Sequence, residues 1–139
     1  MSSWCSSWVY PWAGNFRTVN IFKEGEPPYA DFLFLEENAE KIFRDLKAAN
    51  ELCGLERGVF IERLSHVMGE LHVLHPFREG NTRTLQIVTA EIAHRAGHSL
   101  AWQCADPATI RAAGTAAVFF DFEPYQRILA EICGEAQVR

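Results

Sequence analysis

One nine-residue stretch, His75-Pro76-Phe77-Arg78-Glu79-Gly80-Asn81-Thr82-Arg83, concentrates side chains able to do proton, metal and phosphate chemistry. His75 titrates near neutrality and can take a proton. Glu79 offers a hard oxygen of the kind Mg2+ accepts when substrate phosphates supply most of its other ligands. Gly80 and Asn81 tolerate positive φ, so the backbone can curl and turn successive N–H groups into one concavity. A helix resuming near Thr82 adds its N-terminal amides and the positive end of its dipole, and Arg83 in the first turn adds a fixed charge. Together these make an anion hole suited to a phosphate. Each residue alone has an ordinary structural explanation, because interhelix loops carry Pro, Gly and Asn and a single His usually packs. The conjunction within nine residues is what carries the chemical reading.

The elements around this stretch must hold it. Ala39, Ile42, Phe43, Leu46 and Ala49 recur at helical spacing and predict a helix over about 36–50. Val59, Phe60, Leu64, Val67, Met68, Leu71 and Leu74 predict a longer one over about 55–74, stopped at Pro76 because the residue before a proline leaves the helical region. Leu85, Val88, Ile92 and Ala96 line the helix after the loop, which ends at Gly97. Asp106-Pro107 reads as N-cap and first-turn proline of a helix to about Phe120, and Asp121 to Pro124 opens a last helix carrying Ile128, Leu129 and Ile132. Before all of these, Thr18 to Phe22 alternates and is β-prone, Lys23 to Pro28 is turn chemistry, and Tyr29 to Phe34 can return. A hairpin over 18–34, the only β structure, is expected.

The whole chain has 139 residues, 48% of them hydrophobic, which predicts one domain with a core that needs no disulfides. Cys5, Cys53, Cys104 and Cys133 are widely spaced with no C-x-x-C pair, so free thiols are expected rather than a zinc site. The net charge of −5 and pI near 5.5 argue against nucleic-acid or anionic-membrane binding. No apolar run reaches membrane-spanning length, and the start lacks a signal-peptide pattern. Free thiols make a reducing cytoplasm the expected location.

The loop resembles the signature of the Fic family (filamentation induced by cyclic AMP), H-P-F-x-[D/E]-G-N-G-R-x-x-R, with His75, Pro76, Phe77, Glu79, Gly80, Asn81 and Arg83 matching. Val9-Tyr10-Pro11-Trp12-Ala13-Gly14-Asn15-Phe16-Arg17-Thr18-Val19-Asn20-Ile21 looks like the stretch leading into that family's flap, and the resemblance spans about residues 9–131. It implies a Fic fold, all-α with one short β-hairpin flap, as a single domain over 1–139. It also implies transfer of AMP from ATP to a Ser, Thr or Tyr hydroxyl of a target protein. On that resemblance His75 is the general base and Glu79 holds Mg2+ bridging the α- and β-phosphates. Gly80, Asn81 and the amide of Thr82 line the anion hole, and Arg83 neutralises the outer phosphates. Pro76 and Phe77 are structural, with Phe77 anchoring the loop in the core. Thr18, Val19, Asn20 and Ile21 belong to the flap that pairs with the target's main chain.

Two positions depart from the signature. Thr82 replaces its second glycine and keeps the N–H. Gln86 replaces its last arginine, which in the family helps place the γ-phosphate, so a charged hydrogen bond of about 1–3 kcal/mol is weakened there. The family's inhibitory pattern, [S/T]-x-x-x-E-[G/N], does not occur in the sequence, so a separate small antitoxin would have to supply that glutamate to a toxin of this kind. Gln86 favours one alternative, a degenerate Fic fold that binds nucleotide or protein without transfer. Kinase-like chemistry, as in the death-on-curing relatives, is the other, and Glu79-Gly80-Asn81 count against it.

Weaker signals have blander readings. His94 and His98 share a four-residue spacing but lack the second ligand pair of a di-metal bundle, and a solvated helix end is expected there. His66 and His72 are expected at the surface or as caps, Trp102 as packing, and Trp4, Trp8 and Trp12 as aromatics laid on the body.

Overall fold

In the computed structural model, which describes residues 16–135, helical spacing sets the element order. Five helices follow one another: α1 (Leu35–Ala48), α2 (Arg57–Leu74), α3 (Asn81–Arg95), α4 (Pro107–Val118) and α5 (Glu123–Ile132). Two short strands, β1 (His98–Leu100) and β2 (Cys133–Glu135), pair antiparallel with Ser99 opposite Gly134.

The apolar stripe of α2 explains why this helix is central. Phe60, Ile61, Leu64 and Met68 are buried along its length, and with Leu85, Val88 and Ile92 of α3, Ile110, Ala113 and Ala117 of α4, and Tyr125, Ile128 and Leu129 of α5 they form the main core. Gly69 permits the close approach of α5's start, since a Cβ there would lie 2.3 Å from the Phe122 ring. A smaller cluster of Leu35, Ala39, Ile42 and Leu74 seats α1, with Phe16, Ala30 and Phe32 packed on it. Helix ends follow from local chemistry. Asp106 accepts the Thr109 N–H at 3.0 Å with Pro107 in the first turn of α4. Arg57 donates to the carbonyls of Ala130 (2.7 Å) and Cys133 (3.0 Å), supplying donors that the C-terminus of α5 lacks.

The mainly helical architecture is as the sequence implies, but its β structure lies elsewhere. No strand ladder forms within the segment expected to be a hairpin, 18–34. The segment does turn back: the Glu26 N–H donates to Lys23 C=O (3.1 Å), and the Tyr29 N–H donates across to Ile21 C=O (3.2 Å). A ladder fails because Pro27 and Pro28 bring no donor, and because the body competes for the rest. Ala30 N–H donates to Val73 C=O at 3.0 Å, and Asn20 Oδ1 accepts the Phe32 N–H at 2.8 Å.

Candidate active site

The site is built where α2 stops. His75 follows Leu74 in the left-handed region, with φ 44° and ψ 61°, and its N–H still donates to Leu71 C=O at 3.1 Å. A residue with a Cβ pays roughly 1–2 kcal/mol for that conformation, so its surroundings must enforce it. Arg17 does much of this. Only 4% exposed, it donates from Nε to His75 C=O (2.7 Å), from Nη1 to Val19 C=O (2.7 Å) and from Nη2 to the carbonyls of Ala30 and Leu74, the latter at 3.1 Å. Its backbone N–H donates to Pro76 C=O at 2.8 Å. One buried cation thus ties the root of the 18–34 segment to the backbone that carries His75. Burial lowers the Arg17 pKa, with the charge of Asp31 opposing.

The His75 ring lies in aromatic company. It stacks on Tyr29 with centroids 3.8 Å apart and planes 10° from parallel, and the His72 ring meets it edge-on at 6.0 Å. His72 Nδ1 in turn shares a 2.9 Å hydrogen bond with the Tyr125 hydroxyl. Burial pushes the His75 pKa down to about 4, helped by the nearby charges of His72, Arg17 and Lys23. Burial, then Lys23, does the same to His72, also to about 4, and burial raises the Tyr125 hydroxyl above its ordinary value. Both imidazoles are neutral at pH 7, so His75 is free to accept a proton. A cavity of about 230 Å³ opens beside them, lined by Tyr29, His72, His75, Thr82, Arg111 and Tyr125 among others.

Five residues on, the loop becomes a helix start. Gly80 occupies the N-cap of α3 at φ 79°, and no side chain caps that helix. Asn81 is spent on shape: its Oδ1 accepts the Phe77 N–H at 3.0 Å and its Nδ2 donates to Phe77 C=O at 2.7 Å. What it can offer a ligand is therefore its backbone. Phe77 meets Phe16 edge-on at 5.7 Å and, with Pro76, lines a small apolar cavity under the loop. Glu79, Thr82 and Arg83 are exposed and Gln86 is half-buried, one turn beyond Arg83. Among the described residues the side chains of Glu79, Arg83 and Gln86 have no hydrogen-bond or ionic partner. Also among these residues, no three His, Cys, Asp or Glu side chains converge into a metal cage. Glu79 therefore fits a cation held mainly by substrate oxygens, not one held by protein alone.

Of the residues expected to form a flap, Thr18, Val19 and Asn20 are exposed and Ile21 is half-buried, with the carbonyls of Val19 and Ile21 already taken. His72 corrects the expectation of a surface or capping residue: three positions before His75, on the inner side of α2, it packs against the site. His98 likewise stacks on Phe60 at 4.2 Å instead of sitting in solvent, and Trp102 packs against the main core. Cys53, Cys104 and Cys133 are free thiols, with Cys133 buried. The expectations for Cys5, for Trp4, Trp8 and Trp12, and for Val9 to Asn15 fall outside the described residues. Tyr29 and Tyr125 carry no motif of their own, Arg17 stands in the stretch that resembles the lead into the flap, and only folding brings all three to His75.

Solved structures share this fold. BepC, a VirB-translocated effector of Bartonella tribocorum solved with bound AMPPNP, superposes with a TM-score of 0.84 at 20% identity, covering 96% of this chain and 74% of that one. The type IV secretion system effector BepA matches with a TM-score of 0.78 at 28% identity, over 88% of this chain and 47% of its own. Other solved structures that superpose on this chain are named Fic domains. Residues 3–93 match the Fic/DOC family, and the chain belongs to it. The probable protein adenylyltransferase Fic of Escherichia coli K12 is 33% identical over 128 residues, 92% of this chain and 64% of that relative. Protein adenylyltransferase VbhT of Bartonella schoenbuchensis is 40% identical over 94 residues, 68% of this chain and 20% of its own length. The chain thus spans just under two thirds of the Escherichia coli relative.

Proposed function

We propose that this chain is a protein adenylyltransferase that moves AMP from ATP to a hydroxyl side chain of a target protein. The observation that carries the reading is a neutral, half-buried imidazole fixed beside an uncapped helix N-terminus that also bears Glu79 and Arg83. The names of its relatives support it.

His75 accepts the proton of the target hydroxyl through Nε2, the ring nitrogen that is not sealed away. The hydroxyl oxygen then bonds to the α-phosphorus, the bond to the bridging oxygen breaks, and pyrophosphate leaves. Backbone N–H groups at Gly80, Asn81 and Thr82 face the α- and β-phosphate oxygens, and Arg83 neutralises charge growing on the leaving group. Gln86 contributes a hydrogen bond without charge. Mg2+, held by Glu79 and the phosphates, would add further neutralisation. Thr18 to Ile21 receive the target segment, using the backbone groups left free by Arg17 and Tyr29. No helix among the described residues is long and apolar enough to cross a membrane. The chain works as one domain, in the bacterial cytoplasm or after delivery into a host. A separate small antitoxin supplying an inhibitory glutamate would restrain it.

Gln86 favours a second reading, a binding module without transfer. Incubation with ATP labelled on the α- or the γ-phosphate in bacterial lysate separates the two. Adenylyl transfer puts only the α-label on protein, kinase-like chemistry only the γ-label, and a binding module neither.

A further inference from the structure

We propose that Tyr29 is the positioning residue of His75, setting the plane of the imidazole and joining the target-docking segment to the base. This rests on His75 being the general base. A histidine that acts as a base is ordinarily oriented by a hydrogen bond on its other ring nitrogen. His75 has no such bond: its Nδ1 is buried with no partner among the described residues. The ring is oriented by packing instead. Tyr29, 4% exposed, lies parallel to it at 3.8 Å.

Each wall of this box is anchored independently. The Tyr29 N–H bonds to Ile21 of the docking segment, and the next residue, Ala30, bonds to Val73 of α2. The second wall, His72, meets the edges of both rings at 5.9 and 6.0 Å and is held by Tyr125. Gly114 of α4 leaves room for it, since a Cβ there would lie 2.7 Å from His72 Cε1. A shift of the docked segment therefore reaches the base through one aromatic ring.

The same contact suits the charged form. His75 faces Arg17, Lys23, Tyr29 and Glu26 from the N-terminal segment, His72 from α2, Arg111 from α4 and Tyr125 from α5. Three of these are cations and one an anion, so charge alone disfavours an imidazolium. The π face of Tyr29 is the surface against which the transferred proton is best accommodated.

Tyr29→Phe keeps the face and loses the hydroxyl, whereas Tyr29→Leu keeps bulk and loses the face. The inference predicts near wild-type transfer for Tyr29→Phe. For Tyr29→Leu it predicts a kcat lower by about 10-fold with the KM for ATP unchanged. The His75 ring protons should show an upfield ring-current shift by NMR in the wild type and in Tyr29→Phe, lost in Tyr29→Leu. Wild-type kcat in a folded Tyr29→Leu protein, or a Tyr29→Phe variant as slow as Tyr29→Leu, would overturn it. So would a wild type without the upfield shift, a result that needs no variant to fold. His75→Ala serves as the control: if it transfers normally the general-base reading fails, whereas an inert His75→Ala beside an undiminished Tyr29→Leu removes Tyr29 alone.

Discussion

The two ends of the loop deal with water in opposite ways. At His75 a buried cation, a stacked tyrosine and a second histidine surround the imidazole and hold it uncharged. From Glu79 to Arg83 the charged side chains stand exposed and unpaired on an open helix start. Proton acceptance needs a fixed and neutral ring, which dry packing provides. Phosphate capture needs donors free to meet an incoming ligand, which an uncapped N-terminus provides. Substitutions at the first end should act through geometry and proton occupancy, and those at the second through charge and salt.

The largest contrast is expected from His75→Ala. Transfer should fall by about 10²–10⁴-fold, with ATP affinity and melting temperature little changed, because the side chain is a proton acceptor more than core. Nucleotide titration and thermal melts of the same preparation check this.

Arg17→Leu should behave as the opposite case and cost stability. Four backbone carbonyls lose their donor, and at about 1–3 kcal/mol for each one left dry the variant should melt well below the wild type. Urea denaturation measures it. A loss of activity with unchanged stability would show that Arg17 acts on ligand instead.

Acid should affect the buried end alone. His72 and His75 have folded pKa values of about 4 against an ordinary 6.5, so between these values the unfolded chain binds more protons. Stability is therefore fully present above pH 6.5 and falls as the pH drops towards 4, and activity should keep a deprotonated base well below pH 6.5. Urea midpoints across that window should flatten in a His72→Gln variant.

The open end gives smaller effects. Glu79→Ala should raise the Mg2+ concentration needed for half-maximal transfer by about tenfold, since it removes the carboxylate proposed to hold the metal. Identical Mg2+ titrations would remove Glu79 as a ligand. Gln86→Arg should tighten ATP about threefold, ADP less, with the gain shrinking as salt rises because the site is partly exposed. Equal affinities at low salt would mean that the γ-phosphate lies elsewhere, with Arg78 next to test.

What the sequence revealed divides along the same line. The open end is local: Glu79 to Arg83 are consecutive, and a Gly-Asn pair before a helical stripe states its own geometry. The helices were legible because Phe60, Leu64 and Met68 repeat along one face. The buried end is assembled from distant residues. Tyr29 and Arg17 reach His75 across 46 and 58 positions; nothing local sets Tyr29 apart from a surface residue, and the stretch that holds Arg17 does not state what its side chain touches. His72 lies one helical turn before His75, and that spacing on the inward face of α2 is the sequence signal that marks it. The strands escaped because three-residue segments such as His98–Leu100 are too short to show alternation. The better alternating run, Thr18 to Phe22, is drawn away from a ladder by Arg17 and the two prolines.

Product analysis tests the central claim most directly. With ATP, Mg2+ and lysate proteins as acceptors, the reaction predicted here releases pyrophosphate in step with AMP appearing on a hydroxyl side chain. Nucleotide chromatography and peptide mass spectrometry measure the two. Accumulation of ADP together with phosphorylated protein, or pyrophosphate release that persists undiminished in His75→Ala, would contradict it.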